Sequence, residues 1–470
     1  MRNRNTKILA TVGPASASPD MLRLLHDVGV DAFRLNFSHG SHEGHKKVID
    51  NIRKIEAETD IPISIIADMQ GPKIRCGVFE NDQITLCAGE LIKIECSAKP
   101  GHQGLIRMPH PELLEVLRPG HVLKFDDGKL QVTIKSNDGK VMTAIVDTAG
   151  VLKNKKGINV IDAVLPLSAM TAKDKVDMEF ALAHNVDFIA LSFVQTAGDV
   201  KDARALIGNK AGIIVKIEKP SAVDNLDDIL AEADVVMVAR GDLGVELPLE
   251  HVPLVQRHIL RQARMLGKPA IVATHMLESM IDAPSPTRAE ASDVATAIFQ
   301  GSDVVMLSAE TAVGRHPATA VAIMDRIIRA AESDPDYWSA FSLGSLTSNG
   351  SAEDAICFST KSIAGTMNCA AVFGHTQTGS TVNRISRQRP PCPIIGLTPL
   401  PGTARRLVLC WGVVPIVTTE PQSFDDMVSS MQSVAASKLG LSQGESVLIT
   451  AGVPFGRPGT TNTLKVAVVE

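Results

Sequence analysis

The sequence predicts a parallel α/β protein: a (β/α)8 barrel of the TIM type, a small β-barrel domain inserted in it, and an α/β domain after it. Three observations carry that prediction. Short β-branched segments alternate with helical stretches. Eight of these segments (TKILATVGP, DAFRLNFSHG, ISIIADMQGP, VDFIALSF, GIIVKIEKP, DVVMVARGDLG, AIVATHMLES and DVVMLSAET) run into polar or charged residues. At 470 residues the chain is also too long for one core and suggests roughly three domains.

The first strand, Thr6 to Val12, leads through Gly13-Pro14 to a helix with Ser18 as N-cap, Pro19 at the first position and Asp20 in the first turn. The second, Asp31 to Ser38, precedes an amphipathic helix with apolar Val48, Ile49, Ile52 and Ile55. The third, Ile63 to Asp68, ends in QGPKIR. From about Gly71 to Pro166 there is no helical pattern, only short alternating segments parted by turns such as Asp127-Gly128 and Asp138-Gly139. The βα rhythm resumes near Thr171, a cap for the helix TAKDKVDMEFALAH, and runs to a helix ending near Ala331. A polar linker, roughly Glu332 to Asp354, is expected next, then strands near Ala370–Phe373, Ile394–Leu397, Ser446–Ala451 and Leu464–Val468. The expected domains are residues 1–70 with 167–345, 71–166, and 346–470.

Composition narrows the class. Hydrophobic residues make up 44% of the chain and aromatic ones 3%, so its cores are aliphatic. No apolar run reaches the roughly 18 residues that a membrane span needs, and the basic start MRNRNTKILATVGP enters a Gly-Pro turn instead of a cleavage site. A soluble, cytoplasmic protein is expected. A net charge of −5 gives no reason to expect nucleic acid or an acidic membrane surface. The seven cysteines form no CxxC pair, which favours reduced packing residues over disulfides or zinc.

Strand alternation groups the polar residues at the strand ends: Arg34, Asn36 and Ser38; Lys216 and Glu218; Arg240 and Asp242; Ser308 and Glu310. Two acids from different strands, Glu218 and Asp242, suit Mg²⁺, which takes one or two carboxylates and fills its other positions with water and substrate oxygens. With Lys216 and Arg34 beside them, the cluster has what phosphoryl transfer requires. Any single acid here could equally be a surface ion pair. The small Ala239 and Gly241 allow close backbone approach to a ligand. Thr274 is either a proton relay or an ordinary strand-end cap. His275 should turn away from Thr274, and Asp126-Asp127-Gly128 reads as a hairpin turn.

The motifs RLNFSHG (34–40), QGPKIR (70–75), KKGIN (155–159), KIE (216–218), ARGDLG (239–244), ATHMLESM (273–280), PTRAE (286–290) and MLSAETA (306–312) resemble, in order, those of the pyruvate kinase family. The inserted and carboxy-terminal domains fall where that family has its B and C domains. The resemblance implies Mg²⁺- or Mn²⁺-dependent transfer between phosphoenolpyruvate and ADP, giving pyruvate and ATP. Lys216 would stabilise the phosphoryl group in flight, Arg34 would grip it, and Glu218 and Asp242 would hold the metal. Backbone around Ala239, Arg240, Gly241 and Asp242 would bind the substrate carboxylate, with Thr274 near the methylene carbon. Asn36, His39, Arg75 and Lys156 would face the nucleotide. Ser308 and Glu310 would help order a water and proton path. The inserted domain reads as a lid over ADP, and a homotetramer is implied.

One departure stands out. Most familiar members read D-T-K-G-P-E-I-R and hold K⁺ at the positions of Asn36, Ser38, Asp68 and Met69, whereas this chain has Asp68-Met69-Gln70-Gly71-Pro72-Lys73-Ile74-Arg75. Lys73 replaces a glutamate, and its charge is expected to stand in for K⁺. Thr376 to Thr381 resembles the family's effector-phosphate loop, while GVPFGRPGTTNT (452–463) lacks the Trp-Arg pair of sugar-bisphosphate-activated relatives. Two other classes compete: a Mg²⁺-dependent C–C lyase on a related barrel, which needs neither the insertion nor KKGIN, and a non-catalytic derivative, which predicts a broken cluster.

Overall fold

The computed structural model describes residues 2–453 except 162, 164, 166 and 343–350, together with 461–470. Eight strands close in sequence order into a barrel: β1 (Lys7–Val12), β2 (Ala32–Asn36), β3 (Ser64–Asp68), β4 (Phe188–Leu191), β5 (Gly212–Ile217), β6 (Val235–Ala239), β7 (Ala270–Ala273) and β8 (Val304–Leu307). Every neighbouring pair is parallel, and β8 closes on β1.

Alternation along these strands builds both core and site. Leu9, Ala32, Ile66, Ala190, Ile214, Met237, Ile271 and Met306 share the barrel interior. Their neighbours Ile8, Phe33, Ile65, Ile189, Ile213, Val236, Val272 and Val305 face the surrounding helices. Two residues beyond the interior set stand Thr11, Arg34, Asp68, Ser192, Lys216, Ala239, Ala273 and Ser308, so the period that fills the barrel also lines its carboxyl mouth.

The expected helix starts hold. Ser18 accepts from Met21 N with Pro19 at the first position. Thr171 and Asp174 form a reciprocal capping box. Val48, Ile49, Ile52 and Ile55 are the buried stripe of the His42–Thr59 helix.

Between β3 and β4 the chain forms an open six-stranded sheet and a separate two-stranded ladder, Gln83–Leu86 with Gly150–Lys153, around their own core. This region also holds a short helix, Glu112–Val116, which the sequence reading missed because Pro111 and Pro119 bracket it like a turn. The linker expected over roughly Glu332 to Asp354 is corrected at both ends: one helix spans Pro335–Ser342, whose Tyr337 is fully buried, and another begins at Ala352, while residues 343–350 lie outside the described residues.

The carboxy-terminal sheet has five strands in the order Val413–Val417, Ile394–Thr398, Ala371–His375, Ser446–Gly452 and Thr461–Val468, the last antiparallel. Val413–Val417 was missed, since its central Pro415 argues against a strand; it is an edge strand, where proline is tolerated. Val408 and Leu409 of this domain join the barrel interior cluster. The Trp411 indole N–H donates to the Tyr337 hydroxyl at 2.7 Å. Near this junction lies a cavity of about 920 Å³, whose lining includes Lys7, Asp31, Trp338 and Val413 and none of the residues of the barrel mouth. Among the described residues no helix is long and apolar enough to cross a membrane.

Candidate active site at the barrel mouth

Lys216 is the centre of the mouth. Its Nζ lies 2.8 Å from Glu218 Oε1 and 3.4 Å from Asp68 Oδ1, and donates to Ser192 Oγ at 2.8 Å. Asp68 Oδ2 accepts from Arg34 Nε at 2.6 Å, and Arg34 Nη1 donates to Thr11 Oγ1 at 3.1 Å. Both acids are 1% exposed, so their charges survive only through these partners. Burial pushes Asp68 up, but Lys216 and Arg34 outweigh it and hold the carboxyl below its ordinary range. Burial likewise opposes the Lys216 charge, yet Asp68 and Glu218 prevail and raise its pKa above the usual lysine range. The two carboxylates thus favour the charged form of Lys216.

Glu218 is different: burial raises its pKa, Lys216 opposes that, and Asp242 adds to it. Glu218 Oε1 is buried and close to Lys216 but lacks a hydrogen bond of proper geometry among the described residues. Two repelling carboxylates with an unfilled acceptor fit a divalent cation, whose charge removes the repulsion. Among the described residues no group of three or more His, Cys, Asp or Glu is placed to hold a metal ion.

Two residues that the sequence reading left unassigned complete the centre. Ser192 Oγ accepts from Lys216 and donates to the Met69 carbonyl at 2.8 Å. Phe193 has φ 56°, and this turn aims its N–H at Glu218 Oε2, 2.8 Å away. Gly71 makes the space: its φ is 69°, and a Cβ there would stand 2.9 Å from Phe193 Cδ2. The signal was present, since Ser192 follows Ala190 in the same alternation that flagged Lys216.

Alternation failed where strands end early. Strand β6 stops at Ala239, and Arg240–Glu246 is a helix, so Arg240 and Asp242 do not share a face. Arg240 Nη1 turns to Asp293 Oδ1 at 2.7 Å, and its Nη2 to the Thr274 carbonyl at 2.6 Å. Likewise β8 stops at Leu307 and Glu310 lies in the short helix Ala309–Ala312. There it is 2% exposed and accepts from Ser308 N at 2.7 Å and Leu277 N at 3.1 Å. Ser308 Oγ is buried with no partner among the described residues. The Gly241 N–H donates to Thr274 Oγ1 at 2.7 Å, and that hydroxyl donates to the Ala273 carbonyl at 2.7 Å. His275 has its side chain 60% exposed but does not turn away from Thr274 as alternation predicts: both have positive φ, and a Cβ on Gly241 would meet Thr274 Oγ1 at 3.4 Å and His275 Cε1 at 3.5 Å.

The remaining predicted residues lie on β2, on the turn after it and in the inserted domain. Asn36 pairs in register with Asp68, and its Oδ1 accepts from Ser38 N at 3.1 Å. His39 is exposed on the following turn. Asp126, Asp127 and Gly128 all have positive φ and form the expected turn, but Asp126 also pairs with Lys156, Oδ1 to Nζ, at 2.7 Å. Arg75 bridges to Gly157 and donates to the Lys155 carbonyl at 3.1 Å. Lys73 passes Gly157 and lines a small cleft with Phe193, Asp242 and Glu246.

Such a mouth, a fixed cation between two buried acids beneath an inserted β domain, defines a barrel phosphotransferase. Comparison with known proteins gives the particular family. The family model described as pyruvate kinase, barrel domain, matches residues 3–321, and that described as pyruvate kinase, alpha/beta domain, matches 354–467. A pyruvate kinase of Agrobacterium vitis is 46% identical, covering 99% of this chain and 97% of its own. One of Methylorubrum extorquens is 45% identical over 100% and 98%. The crystal structure of a pyruvate kinase from Cryptosporidium parvum matches with a TM-score of 0.94 and 34% identity, covering 99% of this chain and 96% of that one. This chain belongs to the pyruvate kinase family and is a glycolytic kinase.

Proposed function

We propose that the chain transfers the phosphoryl group of phosphoenolpyruvate to ADP, giving pyruvate and ATP, with Mg²⁺ or Mn²⁺ held by Glu218 and Asp242. The observation that carries this reading is Lys216 fixed between Asp68 and Glu218. A divalent ion held by Glu218 and Asp242 would neutralise charge on the reacting groups there. Lys216 and Arg34 stabilise the phosphoryl group as it leaves the enol oxygen and meets the ADP oxygen. Ala239, Arg240, Gly241 and Asp242 supply backbone N–H groups to the substrate carboxylate, for which the Gly241 N–H must exchange Thr274 Oγ1 for the ligand. The enolate carbon is then protonated beside Thr274, through its hydroxyl or a water ordered by the free Ser308 Oγ. Glu310, with both oxygens on backbone N–H groups, fixes the loops around that path.

Asn36, His39, Arg75 and Lys156 face the nucleotide, the last two from the inserted domain, whose closure excludes water. Asp68 already faces two protein cations, and Lys73, which lines one small cleft with Asp242, would supply the charge otherwise supplied by K⁺, so that the reaction runs without it. The protein works in the cytoplasm as a homotetramer. Thr376 to Thr381 offers an effector-phosphate loop; residues 454–460 of the neighbouring segment lie outside the described residues.

The test is pyruvate formation from phosphoenolpyruvate, ADP and Mg²⁺ in tetramethylammonium buffer with and without K⁺. Equal rates support both assignments, and activity only with K⁺ removes the Lys73 role. A Lys73→Glu variant fully active without K⁺ removes it too. No activity from folded protein removes the kinase reading.

A further inference from the structure

The helix Arg240–Glu246 carries Asp242 near its start and Glu246 at its end. Glu246 is 4% exposed, and its Oε1 accepts from Lys219 Nζ at 2.8 Å and from Asn159 Nδ2 at 2.9 Å. Lys219 is 7% exposed and directly follows Glu218. Asn159 belongs to the inserted domain, on the strand Ile158–Ile161. On the adjacent strand Val122–Phe125, Lys124 Nζ donates to the Val245 carbonyl at 2.6 Å. One carboxylate oxygen thus joins the loop after Glu218, the helix bearing Asp242, and the inserted domain. The helix is only seven residues long, so a shift of its last turn moves its first.

We propose that Glu246, with Lys219, is a positioning group that couples docking of the inserted domain to the Glu218–Asp242 pair. When Asn159 is docked, Glu246 has both partners and the two metal-holding loops are fixed relative to each other. When the domain lifts, Glu246 keeps Lys219 alone and the last turn of the helix loosens. Glu246 acts through Glu218 and Asp242, not on the transferring group itself. The inference rests on the reading of Glu218 and Asp242 as the divalent-cation ligands. Coupling of this kind is reciprocal: the factor by which docking tightens metal binding is the factor by which metal tightens docking.

The test uses Mn²⁺ binding to the intact protein without nucleotide, followed by electron paramagnetic resonance, and amide exchange in Val122–Phe125 and Ile158–Ile161. Loss of the bond in Asn159→Ala should weaken Mn²⁺ about ten- to a hundredfold, as for one hydrogen bond to a charged group. Asn159→Asp, which sets a second carboxylate against Glu246, should weaken it further. Saturating Mn²⁺ should slow exchange in both strands of the unaltered protein, and less so in Asn159→Ala. Mn²⁺ affinity within twofold of the unaltered protein in both Asn159 variants, while Glu218→Gln abolishes binding, overturns the coupling and keeps the metal site. Unchanged binding in Glu218→Gln overturns both.

Discussion

Lys216 shows how one residue can serve chemistry and stability together. It neutralises two acids that burial alone would discharge, and it presents the same ammonium to the mouth. Lys216→Met should lower kcat by about 10²–10³-fold, the usual loss on removing one preorganised charge stabiliser. It should also reduce stability by about 3–5 kcal/mol by leaving buried carboxylates unpaired, read by urea unfolding. Ser192→Ala, which removes a neutral acceptor from the same ammonium, should be milder: about 1 kcal/mol, or roughly fivefold in kcat. An effect on KM alone would mean that Ser192 supports the ground state and the transition state equally. Gly71→Ala should cost more than its size suggests, because the new Cβ meets Phe193 and the backbone is left-handed. Its signature would be weaker Mn²⁺ binding, through displacement of the Phe193 N–H from Glu218.

Elements read well from the sequence wherever a local rule governs them. Ser18 and Thr171 cap their helices as expected because capping is settled within four residues. Alternation placed Arg34, Lys216 and Glu218 correctly and then failed for Arg240 and Glu310, where the chain had already turned into helix. The N-terminal segment adds an element-scale prediction. Asp31 accepts from Ile8 N at 2.8 Å and lies 2.8 Å from Arg4 Nη1, joining β1 to the start of β2. Burial would raise its pKa, but Arg4 and Lys7 outweigh burial and leave it depressed. A depressed carboxyl contributes stability above its unfolded pKa of about 3.9, and that contribution is lost as pH falls through the folded value. Asp31→Asn should therefore destabilise by about 3–5 kcal/mol at pH 7, with the gap to the unaltered protein closing below about pH 4. A gap constant from pH 7 to pH 3 in urea titrations would contradict this.

Across the whole molecule, the barrel's floor belongs to another domain. Val408 and Leu409 lie in the barrel interior cluster, and both are buried. Leu409→Ala should cost about 2–5 kcal/mol as a core cavity while leaving KM for phosphoenolpyruvate unchanged, since the mouth lies at the opposite end of the strands. A barrel expressed without residues 352–470 should fail to unfold cooperatively, and a sharp two-state transition from it would refute that dependence. The same long-range logic explains why Pro335–Ser342, expected to be part of a linker, is helical. Tyr337 and Trp411 bond across the domain junction, 74 residues apart in sequence.

The sequence by itself determined the barrel, its insertion and most of the charged mouth. Those features rest on alternation, caps and turns, which act over a few residues and leave a readable period. Only the tertiary structure decided that Ser192 and the Phe193 N–H complete the centre, that Arg240 leaves it, and that the carboxy-terminal domain closes the floor. Each depends on where a strand stops or on which distant segment packs against it, and contacts between residues far apart leave no period in the chain.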